Sequence, residues 1–197
     1  NEFRFLDLEK ENMDLICFLK RKSKHSYYLD DTSNKFFVLS NRNNKKNFAL
    51  YEVNLDERKE VNWKLLIAHK KNELIENFLC FEEFIILETR KKGLSCLIQF
   101  NRKNNKKSYI DFKDEAYTVS LTNNNDIKAR HFCFIFSSLR SPPSIFSQDL
   151  YTKKRKKIWN QKVLKHRETK YETKRISVSA RDGTKIPISL VYKRGIK

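Results

Sequence analysis

Acyl-transfer chemistry needs a nucleophile, a base within hydrogen-bond reach and a third group that orients the base. His25, His69, His131 and His166 stand far apart, and none has a Ser, Cys or carboxylate at a spacing that predicts a dyad. They read as structural or surface histidines. Three carboxylate pairs, Asp30-Asp31, Glu82-Glu83 and Asp114-Glu115, invite an acid and base reading. Neighbours on an extended chain point to opposite faces, so the two members of a pair cannot share a substrate. Turn and surface roles are expected instead. Cys17, Cys80, Cys96 and Cys133 include no CxxC pair, which predicts reduced, buried thiols and neither a zinc ribbon nor a thioredoxin-type site. A nucleophile elbow needs Gly on both sides of its Ser, and with only Gly93, Gly183 and Gly195 no GxSxG can be built. No catalytic, cofactor-binding or metal-binding residue is assigned, and no cofactor is expected.

Charge is the other chemical signal. The 197 residues carry 42 Lys and Arg against 24 Asp and Glu, a formal net charge of +18. The cations fall in short clusters, Lys20 to Lys24, Arg42 to Lys46, Arg90 to Lys92, Arg102 to Lys107 and Lys153 to Lys157, interleaved with Asn and Ser between apolar segments. Those are turn positions, and charged surface loops are the reading preferred over a nucleic-acid or polyanion-binding module, which stands as the alternative. Lys153 to Lys157 in particular is expected at a hairpin tip. Trp63 and Trp159 are expected in the core, not as base-stacking platforms. No apolar run approaches the ~18 residues of a membrane helix, and Asn1 to Phe5 lacks a basic segment followed by an apolar stretch, so a cytoplasmic chain without membrane contact is expected.

The elements that would position any site read as strands. Apolar segments are short, rich in Phe, Tyr, Val and Ile, and bounded by Asn, Asp, Ser or Lys. Alternation with a period of two predicts half-buried strands at Tyr117, Val119 and Leu121, at Leu94, Cys96, Ile98 and Phe100, and at Ile186, Ile188, Leu190 and Tyr192. Continuous runs at Phe36 to Leu39, Phe84 to Leu87 and Phe132 to Phe136 predict strands buried on both faces. Met13 to Leu19 and Lys162 to Arg167 are weak helix candidates, and Ser141-Pro142-Pro143 is a turn because Pro fixes φ and cannot donate to a ladder.

A repeat runs through these strands. Aromatic-led apolar runs reach Ser40, Thr89 and Ser137, at spacings of 49 and 48 residues, each followed by a turn and a strand containing Leu50-Tyr51, Leu97-Ile98 or Ile145-Phe146. That period fits a four-stranded propeller blade. Residues 1–160 are therefore expected to form a partial β-propeller, with the end of an earlier blade at 1–10 and blades at about 11–60, 61–109 and 110–160. Residues 161–174 read as a linker. Residues 175–197 hold two alternating strands around Asp182-Gly183, expected to close a hairpin through a type I′ turn.

Ser177 to Tyr192 resembles the opening strand pair of the hydrolase domain in the prolyl oligopeptidase family of serine peptidases, especially its oligopeptidase B branch. His25 to Leu29, Phe37 to Arg42, Lys46 to Tyr51, Lys92 to Ser95 and Phe136 to Pro142 resemble the same branch in the same order. The resemblance implies an all-β fragment comprising later propeller blades and the first hairpin of an α/β-hydrolase domain. It also implies a Ser, Asp and His triad outside this chain, and partners in that hydrolase domain and the earlier blades. The implied activity is that of a serine endopeptidase cleaving short peptides after Lys or Arg, with the propeller gating access and this chain inactive alone. A cap of charge +18 would repel basic substrates, which fits that role poorly.

Overall fold

The computed structural model describes residues 1–6, 8, 14–32 and 35–196. It divides into two compact units, Asn1–Ile75 and Glu76–Lys197. Three four-stranded antiparallel sheets dominate, each built from strands consecutive in sequence. The first comprises β3 (Tyr27–Thr32), β4 (Lys35–Ser40), β5 (Ala49–Asn54) and β6 (Lys64–Ile67), after a short pair, β1 (Arg4–Phe5) with β2 (Ile16–Cys17). The second comprises β7 (Glu73–Cys80), β8 (Phe84–Lys91), β9 (Leu94–Asn101) and β10 (Lys107–Ile110). The third comprises β11 (Tyr117–Leu121), β12 (His131–Ser138), β13 (Ser144–Asp149) and β14 (Arg155–Asn160). A separate hairpin of β15 (Tyr171–Ser179) and β16 (Lys185–Lys193) follows. This is the all-β, propeller-type architecture that the repeat implies. The aromatic-led runs form the second strand of each sheet. The first sheet extends to Ile67, past the division expected near residue 60, and hairpin pairing begins at Tyr171, inside the expected linker.

Side-chain alternation explains where the cores lie. In the first unit Phe18, Tyr27, Phe36, Val38, Tyr51 and Trp63 bury together. In the second unit the core joins the second and third sheets through Phe84, Ile86, Leu97, Val119, Phe132 and Phe134. Complete burial of one such Phe contributes about 1.5–3 kcal/mol. β4 is buried on both faces, as its continuous apolar run predicts. β12 is not: Phe132 and Phe134 are buried, but Cys133 is half-buried and Ile135 exposed, so this run is an alternating strand whose second face is apolar yet uncovered. β9 errs the other way, because Leu97 and Gln99 are buried as well as Ile98 and Phe100.

Turn chemistry also departs from expectation. Ala180 N–H donates to Thr184 O at 2.8 Å and Gly183 N–H donates to Ala180 O at 3.0 Å, and in the turn only Gly183 has positive φ, +82°. That is a type I turn closed by a left-handed Gly bulge, not type I′. The type I′ geometry lies between β8 and β9, where Lys92 (+49°) and Gly93 (+74°) both have positive φ.

The fourth strands of the first and third sheets share a bulge. Leu50 pairs with Ile67 while Tyr51 pairs with Leu65, and Ile145 pairs with Trp159 while Phe146 pairs with Lys157, leaving Leu66 and Ile158 as the extra residues. The bulge turns Lys157 to the Phe146 face and Trp159 to the Ile145 face. Trp159 is consequently 51% exposed, not core as expected, whereas Trp63 is buried and donates its indole N–H to Arg58 O at 3.1 Å. Neither helix candidate is helical: Ile16–Cys17 is a strand, Met13 lies outside the described residues, and Leu164-Lys165 is a turn. All four thiols are free, but only Cys80 is buried; Cys17, Cys96 and Cys133 are half-buried. No helix of the described residues is long and apolar enough to cross a membrane.

Candidate functional site

The structure gives the histidines structural surroundings. His25 Nε2 lies 2.7 Å from Ser40 Oγ, and burial lowers its pKa. His69 is half-buried in the β6–β7 connection. His166 Nε2 lies 2.8 Å from Arg140 O, and its ring stacks on Tyr171. His131 Nε2 does stand 3.6 Å from a carboxylate, Asp149 Oδ2, which lies across the β12–β13 pair and is invisible to sequence spacing. That carboxylate is already engaged. It accepts from Arg130 Nε at 2.6 Å and from Thr152 and Tyr151 N–H at 2.7 and 2.8 Å, which together hold it far below the usual carboxylate range.

The carboxylate pairs diverge. Asp30 accepts from the Asp31 N–H within β3. Glu83 pairs with Lys103 at 2.7 Å, while the Glu82 carbonyl accepts from Arg102 Nη1 at the same distance. Asp114 is buried and accepts from Arg140 Nε at 2.8 Å and from Nη2 of the same guanidinium, whereas Glu115 turns outward and accepts the Arg175 N–H at 3.0 Å. Among the described residues no group of three His, Cys, Asp or Glu is arranged to hold a metal ion. The turn expected at Ser141-Pro142-Pro143 lies slightly earlier: the chain bends over Leu139 to Ser141, where Ser138 N–H donates to Ser141 O at 3.0 Å, and the Pro143 carbonyl beyond it already accepts the Gln161 N–H at 2.9 Å.

Beside this turn the third sheet and the 111–114 segment enclose a groove of about 470 Å³. Its floor is aromatic: Phe112 stacks on Phe136 at 5.1 Å, and Phe136 meets Phe146 edge-on at 6.3 Å. Its rim is basic. Arg155 Cζ lies 4.9 Å from the Phe112 ring centre and 5.2 Å from that of Phe134, and Lys157 Nζ lies 5.6 Å from that of Phe146. The guanidinium is held by two neutral acceptors, Gln148 Oε1 at 3.1 Å and Asp111 O at 3.3 Å. Arg155, Lys156 and Lys157 thus belong to edge strand β14, not to the hairpin tip expected for the whole cluster; only Lys153 and Lys154 precede the strand. Spacing of i and i+2 in the sequence does place Arg155 and Lys157 on one face, but nothing in it signals Phe112 beneath Arg155. Nearby, burial pushes the Tyr117 phenol up to about 12.

The hairpin has two unlike faces. Ile176 pairs with Ile188 and Val178 with Ile186, and with Leu190 these side chains form one apolar face, each residue 36–48% exposed. The opposite face is tied to the type I′ turn: Arg175 Nη2 donates to Lys92 O at 2.6 Å, and a Cβ on Gly93 would meet Arg175 Nη2 at 3.2 Å and Pro187 Cγ at 3.7 Å.

A family model for the prolyl oligopeptidase N-terminal β-propeller domain matches residues 1–161. Dipeptidyl aminopeptidase BI of Pseudoxanthomonas mexicana is 25% identical over 177 residues, 89% of this chain and 24% of that protein. Oligopeptidase B from Leishmania major has a similar structure, with a TM-score of 0.87 at 20% identity over 100% of this chain and 29% of its own. Oligopeptidase B from Trypanosoma brucei, in a closed form with covalently bound antipain, gives 0.86 at 23% identity, over 100% of this chain and 29% of its own. These likenesses show the fold. The chain spans about a quarter of the length of the curated relatives it matches.

Proposed function

The chain belongs to the prolyl oligopeptidase family through its β-propeller domain, and on that premise we propose that it is the structural and substrate-gating portion of an oligopeptidase B-like serine endopeptidase. In this reading the full enzyme cleaves short peptides after Lys or Arg, and its Ser, Asp and His reside on a hydrolase domain. The carrying observation is the uncovered apolar face of the β15–β16 hairpin, whose polar face is anchored on the β8–β9 turn. An isolated two-stranded ribbon is marginal in water, so that face calls for a partner sheet. A hydrolase domain continuing the hairpin supplies one and sits at that end of the second sheet, where the propeller limits access. The exposed face of the third sheet, with Ile135, Ile145 and Trp159 aligned across three strands, is the matching surface for a further blade. Free thiols accord with a cytoplasmic setting.

The 197-residue chain should show no hydrolysis of short Lys or Arg peptide substrates above buffer, because no GxSxG can be formed from its three glycines. Turnover that survives repurification and disappears on substitution of one of its Ser or His residues overturns this. Joined to the remaining propeller blades and the hydrolase domain of an oligopeptidase B, it should support cleavage of short peptides after Lys or Arg while folded proteins are spared. Equal cleavage of folded proteins would refute gating.

A further inference from the structure

We propose that the groove between the 111–114 segment and β14 is a binding site for the carboxylate of a peptide whose neighbouring side chain is apolar. A fixed cation outside any direct ion pair is the first requirement, and Arg155 meets it among the described residues, with the Asp111 carboxylate acting on it only at longer range. Its side chain lies against Phe112 and Phe134 and is held by Gln148 Oε1 and Asp111 O, both uncharged acceptors, so the guanidinium is oriented while its charge stays available. Lys157 supplies a second cation on the same face, placed over Phe146 and forming no ion pair among the described residues. Lys153, also on the lining, donates from Nζ to Ser108 Oγ at 3.2 Å. Of the three lining carboxylates Asp114 is committed to Arg140, which leaves Asp111 and Glu168.

That balance selects the ligand. Two remaining acids oppose a dianionic phosphate more than a single carboxylate, and the lining contains no glycine to form the backbone cradle that phosphates favour. The Phe112, Phe136 and Phe146 rings offer apolar surface for the adjoining side chain, and the volume of about 470 Å³ suits one or two residues. This inference concerns the groove alone and stands or falls separately from the substrate class proposed above.

The test is fluorescence anisotropy at 150 mM salt with an N-terminally labelled Gly-Ala-Ala-Phe peptide, bearing either a free or an amidated C-terminus. The carboxylate form should bind the 197-residue chain about tenfold more tightly, as expected for charge-assisted hydrogen bonds. Arg155→Gln and Lys157→Gln should each remove most of that difference at unchanged thermal midpoint, and Lys106→Gln, in the β9–β10 turn, should leave it intact. Equal binding of the two peptides, or wild-type binding by both groove variants, overturns the proposal. Displacement of the peptide by inorganic phosphate at lower concentration than by acetate also overturns it, since the groove is then a general oxoanion site.

Discussion

Replacing Arg140 by Ala should destabilise the second unit more than replacing its partner Asp114 by Asn. The Asp114 side chain is only 5% exposed, and it depends on two hydrogen bonds from one guanidinium. Stranding a buried charge costs about 3–5 kcal/mol when no water can reach it. The Arg140 side chain is 27% exposed, so its removal opens a path for solvent. We therefore expect about 2–3 kcal/mol for Arg140→Ala, a fall of about 5–10 °C in melting temperature at this chain length. Asp114→Asn leaves a cation that can turn toward water, and should cost about 1 kcal/mol. Urea unfolding of both single variants and the double variant at pH 7 measures these values, and the double variant should cost less than the sum. An Arg140→Ala loss under about 0.5 kcal/mol, or an equal loss from Asp114→Asn, would refute the stranded-charge reasoning.

Lys92→Asn should stabilise the chain by about 0.5–1 kcal/mol, read as a raised urea midpoint, because Lys92 occupies the left-handed region that Asn tolerates better; a lowered midpoint counts against it. Burial raises the Glu88 pKa above its ordinary 4.5, against the Leu121 N–H that bonds its carboxylate. The stability carried by the protonated form is full below pH 4.5 and is lost as pH rises through the raised value. Glu88→Gln should then be more stable than wild type at pH 7 and similar at pH 4, and equal urea midpoints at pH 7 would contradict this. Amide exchange should be faster throughout 171–193 than in β8 and β9, whose residues fill the core; equal protection would mean that the hairpin packs within this chain.

Sheet order was legible because three second strands repeat an aromatic-led run at nearly constant spacing, and each sheet pairs only consecutive strands. Turn types were less legible. Asp182-Gly183 resembles a type I′ pair, yet the Ala180–Thr184 bond closes a longer loop, while Lys92-Gly93 adopts type I′ despite the cost of a left-handed Lys. Burial by face failed where tertiary contacts decide it: Ile135 and Cys133 look like core by residue type, but no sheet of the described residues covers their face. The groove was hidden for a related reason. Phe112, Asp114, Arg140 and Arg155 are scattered over more than forty positions, and the antiparallel pairing of β11 through β14 brings them together.

The bulge in the fourth strands bears on how such chains can change length. Ile158 is a spare step: without it Lys157 and Trp159 could become consecutive in a regular ladder while still meeting Phe146 and Ile145. A one-residue deletion there would leave every side chain on its present face, and Leu66 plays the same part in the first sheet. Lost at Lys156 instead, the same single residue would turn Arg155 away from Phe112 and carry the cation to the far side of the sheet. Deletion of either bulged residue thus leaves the inner and outer surfaces of its strand unexchanged.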